Sequence, residues 1–234
     1  MSRKGNINRK DRFGPRAKSR KEESLDKRTF LLIVMNGEQT EKKYFSEFKK
    51  RADQGSVILK VRKGDPTKVL AKAQEEASLS KVPYDEVWLV FDKDHYQSLS
   101  SVVSEAKKLS PKKAKSPSSE TETRFEVGWI NNSFELWFLL HFKDVGSSPI
   151  EQKTCERELQ KFLRKKTGNP NFKYEKNGNH YKLLEQHGVE GEAINRANKL
   201  LREAKKKRPD APWEVNPSTR IHELVKKLRK LESK

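Results

Sequence analysis

Cysteine is nearly absent: Cys155 is the only one in 234 residues. No disulfide can close within the chain and no cysteine-based zinc site can form. Cys155, inside a helical pattern, is expected to be a packing residue, and a reducing cytoplasm fits. Long apolar runs are also missing. None reaches the roughly 20 residues of a membrane-spanning helix, and the basic N-terminus lacks the apolar stretch of a secretory signal. A cytoplasmic protein without a membrane partner is expected. There is no G-x-x-x-x-G-K-S/T loop and no Gly-rich dinucleotide fingerprint, which excludes nucleotide binding through either device. No Ser or Cys nucleophile set is found. Acidic residues are in deficit, 33 Asp+Glu against 52 Lys+Arg, leaving a formal charge of +19. Solubility needs far less, so the excess points to a polyanion, with nucleic acid the leading partner.

What is present is an alternation of strand and helix signals. Residues 1–28 hold eleven Lys/Arg and almost nothing apolar, and read as a basic flexible arm that touches nucleic acid. Order is expected from "TFLLIVM" (29–35), a buried strand. "EKKYFSEFKKRA" has helical spacing, with Tyr44, Phe45 and Phe48 on one face. "SVILKVR" alternates as a strand, and "GDPTKVLAKAQEEA" opens a helix with Asp65 as N-cap and Pro66 at its first position. "DEVWLVFD" is a third strand, "QSLSSVVSEAKKLS" a third helix, "KKAKSPSSETET" a polar loop, "RFEVGWI" a fourth strand and "NNSFELWFLLHF" a fourth helix. This predicts an α/β core over 29–150, a mostly parallel four-stranded sheet with helices on both faces. Residues 151–234 read as a basic helical extension packed on that core, with 169–180 a loop and a last helix capped near Asn216 or Ser218.

The chemistry lies where strands end. In an open parallel sheet, ligands gather beyond the carboxyl ends of the strands. The third strand stops at Asp92, and Asp94 follows two residues on, so an extended backbone puts both side chains on one face. Paired carboxylates repel unless protonated or neutralised by a cation such as Mg2+ or Mn2+. The plainer reading is a strand-end turn. A second acidic cluster, Glu38 and Glu41, follows the first strand and Gly37. Helix N-termini favour acids anyway, yet strands one and three are expected to be neighbours, which would join the clusters. Asn132 and Glu135 have capping-box spacing, and Glu135 is alternatively a further ligand. His141 reads as a satisfied helix-end histidine. His95 is the better candidate for proton transfer or phosphate contact. In "NPSTRIHELV" a capped helix accounts for the stretch without chemistry, and His222 stays ambiguous.

"LLIVMNGEQTEKKYF", "VWLVFDKD", "NNSFELWFLLHF" and "NPSTRIHELV", in this order over residues 29–231, resemble the RloB family, prokaryotic proteins linked to restriction loci and abortive phage resistance. Those proteins in turn resemble Toprim domains, which place a glutamate after the first strand and D-x-D after the third. The resemblance implies a Mg2+- or Mn2+-dependent endonuclease acting on RNA, tRNA included, or DNA. It also implies an ABC-type ATPase as partner. Asp92, Asp94, Glu38 and Glu41 are the expected metal ligands, with Asn36 and Glu135 in the same catalytic set. Lys93, His95, Arg220 and His222 are expected at nucleic acid. The family pattern has Glu immediately before the glycine, and here that position is Asn36. Glu38 or Glu41 takes the role, or the site binds metal without turnover, or the asparagine is a substitution that silences it. Two other classes stand beside the enzyme: an inactive nucleic-acid-binding subunit that docks the ATPase, and a basic RNA-associated protein whose acids only end strands and helices.

Overall fold

The computed structural model describes residues 29–93, 96–110 and 123–232. The N-terminal arm and nearly all of the polar loop lie outside them. The first half alternates as expected: β1 (Leu31–Met35), α1 (Thr40–Arg51), β2 (Val57–Val61), α2 (Pro66–Leu79), β3 (Glu86–Asp92), α3 (Leu99–Leu109), β4 (Arg124–Asn131) and α4 (Glu135–Leu140). Then come α5 (Gln152–Thr167), α6 (His180–His187), α7 (Glu190–Lys207), a 3-10 turn (Pro212–Glu214), β5 (Ser218–Thr219) and α8 (Ile221–Lys230). Among the described residues no helix is long and apolar enough to cross a membrane.

The sheet has five strands, not four, in the order β2-β1-β3-β4-β5. The first four are parallel, and β5 runs antiparallel to β4, with Thr219 opposite Ile130 and Ser218 opposite Asn131. β1 reads as an unbroken apolar run because both its faces are covered. Leu31, Ile33 and Met35 enter a cluster with Tyr44, Phe45 and Phe48 of α1 and Trp137 and Phe138 of α4. Leu32 and Val34 enter a second cluster with Val69 of α2 and Val102 and Val103 of α3. Right-handed crossovers require this division, since the chain moves from β1 outward to β2 and then back past β1 to β3.

The C-terminal residues belong to these same clusters. Cys155, Leu159, Tyr181, Ile221, Leu224 and Val225 lie in the first, Leu201 and Trp213 in the second. Cys155 packs there as a buried free thiol, whose pKa burial pushes up to about 12.

Two local expectations need correction. The last helix is capped at neither Asn216 nor Ser218: it begins at Ile221, whose N–H donates to Thr219 Oγ1 (3.2 Å). Asn216 instead clamps the backbone of Ile150, accepting from its N–H and donating to its C=O, both at 3.1 Å. Ser218 goes into β5. Asn132 and Glu135 form no capping box: the side chain preceding α4 is Phe134, with no capping bond, and Glu135 is engaged elsewhere. The Asp65 cap holds, its side chain accepting from Thr67 N–H (2.8 Å) with Pro66 first in α2.

Candidate functional site

Strand order locates the site before any side chain is considered. β1 leads to β2 on one side and β3 lies on the other, so connections diverge between β1 and β3. In open α/β sheets that switch point leaves a crevice beyond the strand ends. The two strands are paired in register, Met35 beside Val90. Asn36, one residue past β1, donates its N–H to Val90 C=O (3.1 Å). Asp92 is the last residue of β3. A polar cleft of about 330 Å³ opens here, lined by Asn36, Glu38, Glu41, Asp92 and Glu135, with Lys176 on its wall.

The acids are not equivalent. Glu38 is exposed and pairs with Lys63, which holds its carboxyl below the ordinary value. Glu41, in the first turn of α1, is only 6% exposed. Its carboxyl lies folded against Gly37: a Cβ on that glycine would stand 1.9 Å from the Glu41 carboxyl carbon. Glu135, first residue of α4, is 2% exposed and accepts from Tyr174 Oη (3.0 Å). Burial, joined by the negative charge of Glu135, raises the Glu41 pKa to about 7, against smaller lowering by its own backbone amide and Lys176. Glu41 thus titrates near neutrality. It can hold or release a proton there, or exchange it for a cation.

The segment after α5 straps this corner down. Thr40 Oγ1 donates to Lys176 C=O (3.4 Å) and Tyr174 N–H to Gln160 Oε1 (3.0 Å). Tyr174 stacks on His180, ring centres 4.6 Å apart. Burial, then the neighbouring Glu135, drives the Tyr174 phenol well above its ordinary range. Burial also lowers His180. The composition of 169–180 predicts only a loop and gives no sign of Tyr174, which bonds Glu135, nor do the sequence motifs single out Lys176, Gln152 or Tyr96 of the cleft lining. The available signal was a long connection carrying Phe172 and Tyr174, since structureless loops of that length are uncommon unless they have a role.

Five other expected site residues lie elsewhere or outside the described structure. Asp94 and His95 are among the residues not described. Lys93 is 6% exposed and turned inward, with Nζ 3.3 Å from Glu214 and donating to Tyr96 C=O (3.1 Å). Arg220 pairs with Glu126 (2.8 Å) and Glu223 (2.7 Å) and lies over the Trp88 ring. His222 is fully buried (0% exposed), with Nε2 3.0 Å from Asn198 Oδ1, and burial lowers it to about 3. Lys93 and His222 are thus buried against protein groups, while Arg220 also lines a second cavity with Trp129 and Trp213. His141 is, as expected, a satisfied helix-end residue, with Nδ1 3.0 Å from Trp137 C=O.

Toward a divalent ion the donor set is chemically suitable: Glu41, Asp92 and Glu135 carboxylates and the Asn36 amide oxygen are hard oxygen ligands. Among the described residues, however, no three His, Cys, Asp or Glu side chains already stand close enough to form a metal site.

No curated protein and no solved structure matches this chain. The model of a protein family, the RloB-like proteins, matches residues 31–228, which takes in every strand of the sheet and the whole acidic cleft. The chain belongs to the RloB-like protein family.

Proposed function

We propose that the chain is a divalent-metal-dependent nuclease of an anti-phage defence system, cleaving RNA or DNA phosphodiesters at the cleft between β1 and β3. One observation carries this reading: Glu41, Asp92 and Glu135, from distant stretches of sequence, line one crevice at the switch point. Glu41, Asp92 and Glu135, with Asn36 and Asp94, would hold Mg2+ or Mn2+. When bound, the ion would polarise the scissile phosphate and lower the pKa of an attacking water. Tyr174 fixes the Glu135 carboxylate, and Gly37 leaves room for the Glu41 carboxyl. Lys176, on the wall, offers a charge to a phosphate. The net charge of +19 draws in the polyanion. With no P-loop of its own, the chain suits division of labour with an ABC-type ATPase.

The test is cleavage of RNA and DNA with Mg2+ or Mn2+, alone and with the ATPase. Asp92→Asn should lower the rate at least about 100-fold and leave binding measured in EDTA intact. If the wild-type chain cleaves neither polymer, even beside its ATPase, the nuclease reading fails. Asn36 favours a second reading, an inactive docking subunit, because an amide supplies neither charge nor a titrating proton. Asn36→Glu separates the two: it raises cleavage if the remaining donors are competent and changes nothing in a docking subunit.

A further inference from the structure

The long helix that begins at the cleft carries a row of cations with no partner among the described residues. Lys153, Arg157, Lys161 and Lys165 of α5 recur every fourth residue, and all four are exposed. Residues four apart are surface neighbours on a helix. The row climbs about 18 Å along the axis in steps of about 6 Å. None of the four makes an ion pair or side-chain hydrogen bond with the described residues. The acids on the helix interior point to other partners: Glu158 pairs with Lys143 (3.3 Å), while Glu156 accepts from Gln152 (3.0 Å) and faces Lys176 (3.9 Å). Like charges at this spacing destabilise a helix. The opposite face is firmly seated by Cys155, Leu159 and Leu163, so packing does not require the row.

Its direction is informative. Gln152, immediately before Lys153, lines the acidic cleft together with Lys176. The single-sign row therefore starts one residue past the lining of the cleft. A chain of evenly spaced negative charges is the complement of such a row. We propose that this face of α5 is the track for a nucleic-acid strand, its phosphates lying along Lys153, Arg157, Lys161 and Lys165 as the strand leaves the cleft. Such contacts position the backbone and carry no sequence information. The inference deepens the proposed function and rests on its nucleic-acid partner, not on its chemistry.

The experiment is binding of fluorescent single-stranded RNA and DNA oligonucleotides to the full chain in EDTA across a salt series, so turnover plays no part. The quadruple variant K153Q/R157Q/K161Q/K165Q should bind at least about tenfold more weakly near physiological salt. Its log–log salt slope should be shallower by about 3, as expected when four phosphate contacts are lost. Its melting temperature should hold or rise, because repulsion along the row is removed. The control K205Q/K206Q/K207Q/R208Q makes the same charge change at the exposed end of α7 and should bind close to wild type. A track variant that binds like wild type overturns the proposal. So does an equal loss in the control, which would mean only net charge matters. Wild-type binding without cleavage would remove the nuclease reading and leave the track standing.

Discussion

Gly37 decides which of two similar glutamates is buried at the cleft. Glu38 and Glu41 look alike in sequence, both just after a strand and near a helix start, where acids are common. The missing Cβ at Gly37 provides the space into which Glu41 folds, and Glu38 is left to Lys63. Gly37→Ala would place a methyl group 1.9 Å from the Glu41 carboxyl carbon. The clash is with the end of a flexible side chain, so Glu41 swings out and the fold survives. Thermal unfolding should change by less than about 1 kcal/mol. The carboxyl titration of Glu41, followed by NMR, should fall from about 7 toward its ordinary 4.5. Retention of the high value would mean that Glu41 stays buried without the glycine. In the proposed metal site, the same titration would govern cation binding. Below about pH 7 a proton occupies Glu41 and must leave before a cation enters, so Mn2+ affinity should rise as pH climbs from 5 to 8. Glu41→Gln should bind Mn2+ more weakly with a flatter profile. An unchanged slope would take Glu41 out of the ligand set.

At the scale of elements, local signals were legible wherever one force dominated. β1 and β3 are buried on both faces, and a continuous apolar run announces that. Asp65-Pro66 announces the start of α2 because a side-chain cap and a fixed φ act within three residues. β5 was illegible: two residues, Ser218 and Thr219, carry no periodicity, and only the waiting edge of β4 makes them a strand. The capping-box spacing before α4 misled for a related reason. Tyr174, 39 residues away, outcompetes the local backbone for the Glu135 carboxylate. Buried histidines near these joints set an acid limit. His141 after α4 is lowered to about 4 and His222 in α8 to about 3, both chiefly by burial. Each folded pKa lies below the unfolded value of 6.5, so the stability from keeping these rings neutral is full above pH 6.5. It is lost as pH falls toward 4. Stability should therefore drop over that window, by roughly 1–3 kcal/mol per histidine. His222→Asn, which keeps an amide beside Asn198, should melt lower at pH 7 but lose less between pH 6.5 and 4. An identical acid slope would mean that His222 takes up its proton without leaving the core.

For the whole molecule, the question is whether the α/β half stands without the helices that follow. The sheet itself argues against a severable extension. Residues after 150 supply its fifth strand, and Arg220 N–H donates to Trp129 C=O (2.9 Å) to continue that edge. In α8, Ile221, Leu224, Val225 and Leu228 are each at most 1% exposed and sit in the same cluster as β1 and α4. Burying each such side chain contributes about 1.5–3 kcal/mol, so the four together account for roughly 6–12 kcal/mol. A protein of this size has a net stability of about 5–15 kcal/mol, so the loss is comparable with the whole. Charge is arranged at the same scale: Glu41 and Glu135 of the cleft are buried while Lys153, Arg157, Lys161 and Lys165 of α5 face out. A chain ending at residue 217 should therefore lack a cooperative thermal transition by circular dichroism and should bind a dye that reports exposed apolar surface. A chain ending at 150 should behave the same way. A sharp transition in the shorter chain would show that the first four strands and their helices fold as an independent unit, and one in the longer chain that β5 and α8 only dock onto the rest.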